Sequence, residues 1–147
     1  MRRAVRALGV DPGTKRIGLA VSDLSGTIAS PLRVLARSRS RRHDLDEIAR
    51  VARAEEAEVI VVGLPLHLDG RTSPSAKAAI ADARQLATLV DVPVEMHDER
   101  LTTVTADRRL AEAGLDGRER RKLIDAAAAA VMLQSWLDGR ANGASDE

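Results

Sequence analysis

From residue 3 to residue 36 the chain alternates apolar and polar or small positions at the two-residue period of strands. "RAVRALGV" predicts a first strand. "RIGLAVSD" predicts a second, with Ile17, Leu19 and Val21 set against Gly18, Ala20 and Ser22. The link "DPGTK" suits a tight turn, with Pro12 fixing φ and Gly13 free to take a positive φ. "GTIASPLRVLA" predicts a third strand. Pro31 cannot donate to a ladder, so this strand belongs at a sheet edge or carries a bulge. The pattern then becomes helical. In "HDLDEIARVARAEEA", Leu45, Ile48, Ala49 and Ala52 share one stripe, and Asp44 followed by Glu47 reads as a capping box. The run Val59, Ile60, Val61, Val62 is apolar on both faces, as in a central parallel strand. Ser73-Pro74 opens a second helix. "VPVEMH" is a fifth strand, "TTVTADRRLAEAG" a short helix ended by Gly114, and "ERRKLIDAAAAAVMLQSWLDG" a long final helix.

Hairpins join the first three strands, and helical crossovers bring in the last two. The expected fold is therefore α/β: a mixed five-stranded sheet of order 3-2-1-4-5, with strand 2 antiparallel and helices on both faces. A length of 147 residues fits one core. The domain is expected over 1–138, with 139–147 a flexible C-terminal tail.

Composition narrows the chemistry. The absence of cysteine removes disulfides, thiol nucleophiles and thiolate metal sites together. His43, His67 and His97 lack the spacing of a helical zinc motif. What remains for a metal is carboxylate oxygen. No apolar run is long enough to span a membrane, and a cytoplasmic protein is expected. The net charge is only +1, yet cations cluster. "ARSRSRRH" (36–43) holds four arginines and no acid, and "GRERRK" (117–122) holds four cations against one acid. Local clusters on a balanced chain suit a one-sided anionic partner or a solvated face. Trp136 is the sole aromatic, so stacking on bases is excluded, and any nucleic acid would be held by its backbone.

The acids add the chemistry. Asp11 ends the first strand, beside the fourth, at the sheet edge where ligand sites form in α/β folds. It also suits the first position of a turn. Asp98 and Glu99 follow the fifth strand in "HDERLTT", where Arg100 could pair with one of them or bind phosphate. Asp125 is the only charge between Lys122 and Asp138, on a predicted stripe with Ala128, Ala129, Met132 and Trp136. Carboxylates placed this way fit Mg²⁺ or Mn²⁺, and two such ions would serve metal-dependent phosphoryl chemistry.

"DPGTKRIGLAVSD", "VVGLPLHLDGRTSPSA", "HDERLTT" and "KLIDAAAAAVMLQSWL", in that order, resemble the YqgF/RuvX family of bacterial pre-16S rRNA nucleases, relatives of the Holliday-junction resolvases. The resemblance spans nearly the whole chain. It implies an RNase H-like fold, and an acidic triad of Asp11, Glu99 and Asp125, with Asp98 replacing or assisting Glu99. It implies trimming of the 5′ end of immature 16S rRNA with Mg²⁺ or Mn²⁺, as a monomer or homodimer. Lys15, Arg16, Arg39, Arg41, Arg42, Arg100, Arg120 and Arg121 are the candidate phosphate contacts. Gly13, Gly63 and Pro65 are candidate loop-shaping residues. The resolvases carry an acid after the fourth strand, where this chain has "GLPLHLDG". Three other readings compete: a DNA junction resolvase, an actin-like nucleotide switch suggested by "DPGTKRIG", and a non-catalytic RNA-binding or transcription-associated protein.

Overall fold

The five predicted strands form one sheet in the predicted order. In a computed structural model that describes residues 4–66, 69–101 and 124–143, they are β1 (Ala7–Pro12), β2 (Arg16–Ser22), β3 (Ala29–Ala36), β4 (Val59–Leu64) and β5 (Val94–Asp98). Their order is β3-β2-β1-β4-β5. β2 is antiparallel to both neighbours, and β4 and β5 run parallel to β1. Pro31 lies where both expectations placed it. β3 is an edge strand, and its register slips between Leu19 and Ala20, opposite the proline.

Three helices are described: α1 (Arg41–Ala54), α2 (Pro74–Ala87) and α3 (Ile124–Gly143). Strand alternation sorts the core into two layers. Leu8, Val10, Ile17, Leu19, Ile60 and Val62 face Leu45 and Ile48 of α1 and Leu86 of α2. Ala7, Ala20, Val59 and Val61 face Ala129, Ala130, Leu133 and Leu137 of α3. Each large aliphatic buried this way contributes roughly 1.5–3 kcal/mol. The α3 side of the sheet is lined with small residues, so α3 lies close against it. A Cβ on Gly9 would sit 2.9 Å from Leu133 Cβ.

Four expectations need correction. α1 opens at Arg41, not at Asp44. Ser40 is the cap, with its Oγ accepting from His43 N at 3.1 Å. Asp44 is instead buried in the first turn, accepting from Ser38 Oγ at 2.7 Å, and Glu47 pairs with Arg50. Two capping residues four apart compete, and Ser38 draws Asp44 away from the helix end. The buried stripe of α3 is also rotated from the predicted one. Ala128 is exposed and Trp136 is half-buried beneath Arg140. Ala129 and Met132 are buried as expected, together with Ala126, Ala130, Leu133 and Leu137. A run of alanines has no polar contrast to fix a helical phase. Next, α3 continues to Gly143, past the expected tail boundary at 139. Finally, Gly13 does not enter the positive-φ region. It is needed for closeness, because a Cβ there would lie 2.5 Å from Arg16 O. The short helix expected from Thr102 to Gly114 lies outside the described residues.

Candidate active site

Asp11 is not a turn residue. It sits within β1, paired with Gly18 of β2. The turn closes without its carboxylate, through Gly13 N donating to Arg16 O at 2.9 Å. Alternation places Asp11 on the α3 face, in phase with Ala7 and Gly9.

Glu99 arrives from two strands away. It follows β5 in a single 3₁₀ turn, Glu99–Leu101. To meet Asp11 its side chain must cross β4, and it does so over Gly63. A Cβ on Gly63 would stand 2.6 Å from Glu99 Oε1. The missing side chain leaves the gap through which Glu99 hydrogen-bonds Asp11. Gly63 therefore lies in strand β4, buried, and is not the loop residue expected. Pro65 does follow the strand, and its carbonyl accepts from Ser73 Oγ at 3.2 Å.

Strand parity separates the two acids of "HDER". β5 extends to Asp98, which pairs with Leu64 and falls in phase with Met96, on the α1–α2 side. Arg100 holds it there, with Nε 2.9 Å from Oδ2. That contact keeps the Asp98 carboxyl below its ordinary range. Arg100, a candidate phosphate contact, is thus committed to Asp98. Asp98 points away from Asp11, and Glu99 points toward it.

Asp125 enters on α3. Its backbone carbonyl passes over Gly18, where a Cβ would lie 1.9 Å from Asp125 O. The expected buried carboxylate is instead half-exposed at the sheet edge, with Oδ2 3.7 Å from Arg16 Nη1. Its charge still reaches Asp11. Burial pushes the Asp11 carboxyl up; the hydrogen bond from Glu99 works the other way, and the charge of Asp125 adds to the rise. Burial, the hydrogen bond to Asp11 and the charges of Asp11 and Asp98 push Glu99 up to about 8. Both shifts favour keeping a proton between the two carboxyl groups.

The arginines divide by position. Arg39 and Arg41, with Arg37, line a cavity that includes Asp11 and Gly13. Arg42 turns away to Asp46 at 3.2 Å. Lys15 and Arg16 are exposed on the β1–β2 turn. Arg120 and Arg121 lie outside the described residues, as does His67. His97 rests 3.1 Å from Ser135 Oγ, and burial lowers its pKa. Sequence reasoning missed Gly18 and Asp82, and it held Arg37 only as one member of the 36–43 cluster. The glycines carried the one readable signal, since glycine inside a strand marks close approach of another group.

Among the described residues no three acids or histidines already close on one point as metal ligands. The donor chemistry nevertheless fits a hard divalent cation. Asp11 and Glu99 offer carboxyl oxygens to each other that a cation would draw on, and the charge of Asp125 reaches Asp11.

A mixed sheet of this order, with acids gathered at the C-terminal ends of its parallel strands, is the RNase H-like architecture. The full chain compares accordingly with a solved structure, Thermus thermophilus RuvC in complex with Holliday junction substrate. The TM-score is 0.61 at 16 % identity, covering 94 % of this chain and 96 % of that one. The family model described as "RuvX: Holliday junction resolvase" matches residues 5–139. An Anaeromyxobacter protein named "Putative pre-16S rRNA nuclease" (strain Fw109-5) is 51 % identical over 92 % of this chain and 98 % of its own length. One of the same name from Mycobacterium ulcerans is 48 % identical over 92 % and 79 %. The chain belongs to the RuvX family.

Proposed function

We propose that this RuvX-family nuclease matures the 5′ end of 16S rRNA in the cytoplasm, using Mg²⁺ or Mn²⁺ held by Asp11, Glu99 and Asp125. One observation carries the reading. The fold brings Asp11 and Glu99, from strands that are not neighbours, into direct hydrogen-bonded contact at the sheet edge. Leaving two carboxylates together in a half-buried place is unfavourable without a cation or proton between them. A divalent cation there supplies positive charge to the attacking water and to the leaving oxygen of a phosphodiester.

The chain's own residues do the rest. Asp11 and Glu99 give up their shared proton when the cation binds. Gly63 keeps the path between them open. Arg16 meets Asp125 from the exposed turn, and its exposure and that of Lys15 support a contact with the phosphates of an incoming strand. Asp98 stays out of the ligand set, tied to Arg100. Among the described residues no helix is long and apolar enough to cross a membrane. The names of the relatives favour RNA as substrate. The description of the family model favours a second reading, resolution of four-way DNA junctions.

The test compares purified protein on a 16S precursor RNA and on a four-way junction, with Mg²⁺ or Mn²⁺. Cleavage of the RNA that stops in EDTA and in Asp125→Asn is the expected result. Undiminished cleavage in excess EDTA would overturn the metal-dependent reading, and cleavage of the junction alone would transfer the activity to DNA.

A further inference from the structure

Beside the acids lies a cavity of about 580 Å³, formed by the β1–β2 turn, the β3–α1 loop and the first turn of α2. Small-molecule sites span about 300–1,000 Å³, so one nucleotide fits. Asp11 and Gly13 form one rim, Arg37, Arg39 and Arg41 one wall, and Ser75 the base of α2.

The charges of that wall are unevenly paired. Asp82 of α2 is buried and is shared by two guanidiniums. Arg37 Nη2 is 2.9 Å from Oδ2, and Arg41 Nε is 3.0 Å from Oδ1. One carboxylate thus faces two cations. Oδ1 receives no aligned hydrogen bond, so Arg41 is held by charge, with its guanidinium half-exposed toward the cavity. Arg39 makes no ion pair with any described residue and adds a further positive charge. Asp44 also lines the cavity, its carboxylate accepting from Ser38 N and Ser38 Oγ and so turned away from the arginines. An unpaired guanidinium beside a half-exposed one in a concave site favours an anion with paired oxygens.

The placement defines which anion. Glu99 and Asp125 lie on the α3 side of the sheet edge, and the cavity lies on the α1–α2 side, with Asp11 at the boundary. A strand crossing that edge with one phosphate at the acids puts its neighbour over the cavity. We infer that the cavity is a subsite for the phosphate adjoining the scissile one, gripped by Arg39 and Arg41, with Asp82 as the residue that positions Arg41. This deepens the nuclease reading and rests on it for the identity of the strand. Arg37 Nε also donates to Gly13 O at 2.9 Å, so Asp82 braces the turn that follows Asp11.

Binding of fluorescent single-stranded RNA to the wild-type protein, without divalent metal, tests the subsite independently of cleavage. Arg39→Ala with Arg41→Ala should weaken binding about tenfold or more and reduce the log–log salt slope by about 0.7, the value for one phosphate of a single strand. Arg42→Ala, next in sequence but turned to Asp46, should change neither beyond a small general charge effect. Asp82→Asn should weaken binding in the wild-type background and clearly less in Arg41→Ala, where only its hold on Arg37 remains, whereas a purely structural role would add the same loss in both. Equal losses for 5′-phosphorylated and 5′-hydroxyl RNA identify an internal phosphodiester; losses confined to the former identify a terminal phosphate. Unchanged binding and slope in the double variant, or an equal effect of Arg42→Ala, would overturn the inference. Arginine-dependent binding by a wild type that cleaves nothing would instead remove the nuclease reading and leave the phosphate site standing.

Discussion

Replacing Gly18 by alanine tests how the third acid is placed. α3 crosses β2 at this residue, and the added Cβ would lie 1.9 Å from Asp125 O and 2.5 Å from Asp125 C. Both are backbone atoms, so no side-chain rotation relieves the contact. A comfortable carbon–oxygen separation is about 3.4 Å, so α3 must lift from the sheet by about 1.5 Å at Asp125. Overpacking of this kind costs about 1–3 kcal/mol. A domain of this size loses about 2–4 °C of melting temperature for each kcal/mol. The functional cost is larger in proportion. Asp125 would move by more than an ångström relative to Asp11, and a 1 Å misplacement costs about 10²-fold in rate. Gly139→Ala on the same helix is the control, because its Cβ would meet nothing within 4 Å. It should raise stability slightly through helix propensity and leave the rate unchanged. The assay is the rate on precursor RNA at saturating metal, with melting followed by circular dichroism. A folded Gly18→Ala protein that melts lower yet cleaves at the wild-type rate would refute the need for Asp125 at that distance. An unchanged melting temperature would refute the close crossing itself.

Asp11→Asn should lower cleavage by orders of magnitude, since an amide is a poor ligand for Mg²⁺. The metal-free variant should melt at or slightly above the wild type, because one carboxylate of a repelling group is gone; wild-type cleavage by the folded variant would remove Asp11 from the site. Glu99→Gln should abolish cleavage, whereas Asp98→Asn should leave most of it, and the reverse ranking of rates would show that the parity assignment is wrong. In the metal-free protein Glu99 is lifted from 4.5 to about 8, so the folded state keeps a proton that the unfolded state releases. Stability from this group is present below the unfolded value and declines as pH rises through that window, and Glu99→Gln should flatten the decline in melting temperature. For the same reason metal affinity should strengthen with rising pH over that range, which a titration of melting temperature against Mg²⁺ at several pH values would read.

Much of the fold was decided by local pattern. The period-two runs, the two-faced apolar run at Val59–Val62 and the Ser73-Pro74 cap each specify an element without help from distant residues. Hairpin and crossover rules then leave few sheet orders, and Pro31 selects an edge. The acids stood out as candidates for a related reason: carboxylates at strand ends and on an apolar helix interrupt the local pattern. What the sequence left open needed contacts between distant residues. Whether Asp98 or Glu99 faces Asp11 depends on where β5 ends, and one residue of extension reverses the answer. The phase of α3 could not be read from five successive alanines; the small residues of the sheet set it by where a helix backbone can approach, at Gly9 and Gly18. The role of Gly63 exists only because Glu99 reaches over it from β5 to β1. The arginines of 37–42 looked alike in sequence, but in the fold Arg37, Arg39 and Arg41 line the cavity beside Asp11, two of them held by the buried carboxylate of Asp82, while Arg42 pairs with Asp46.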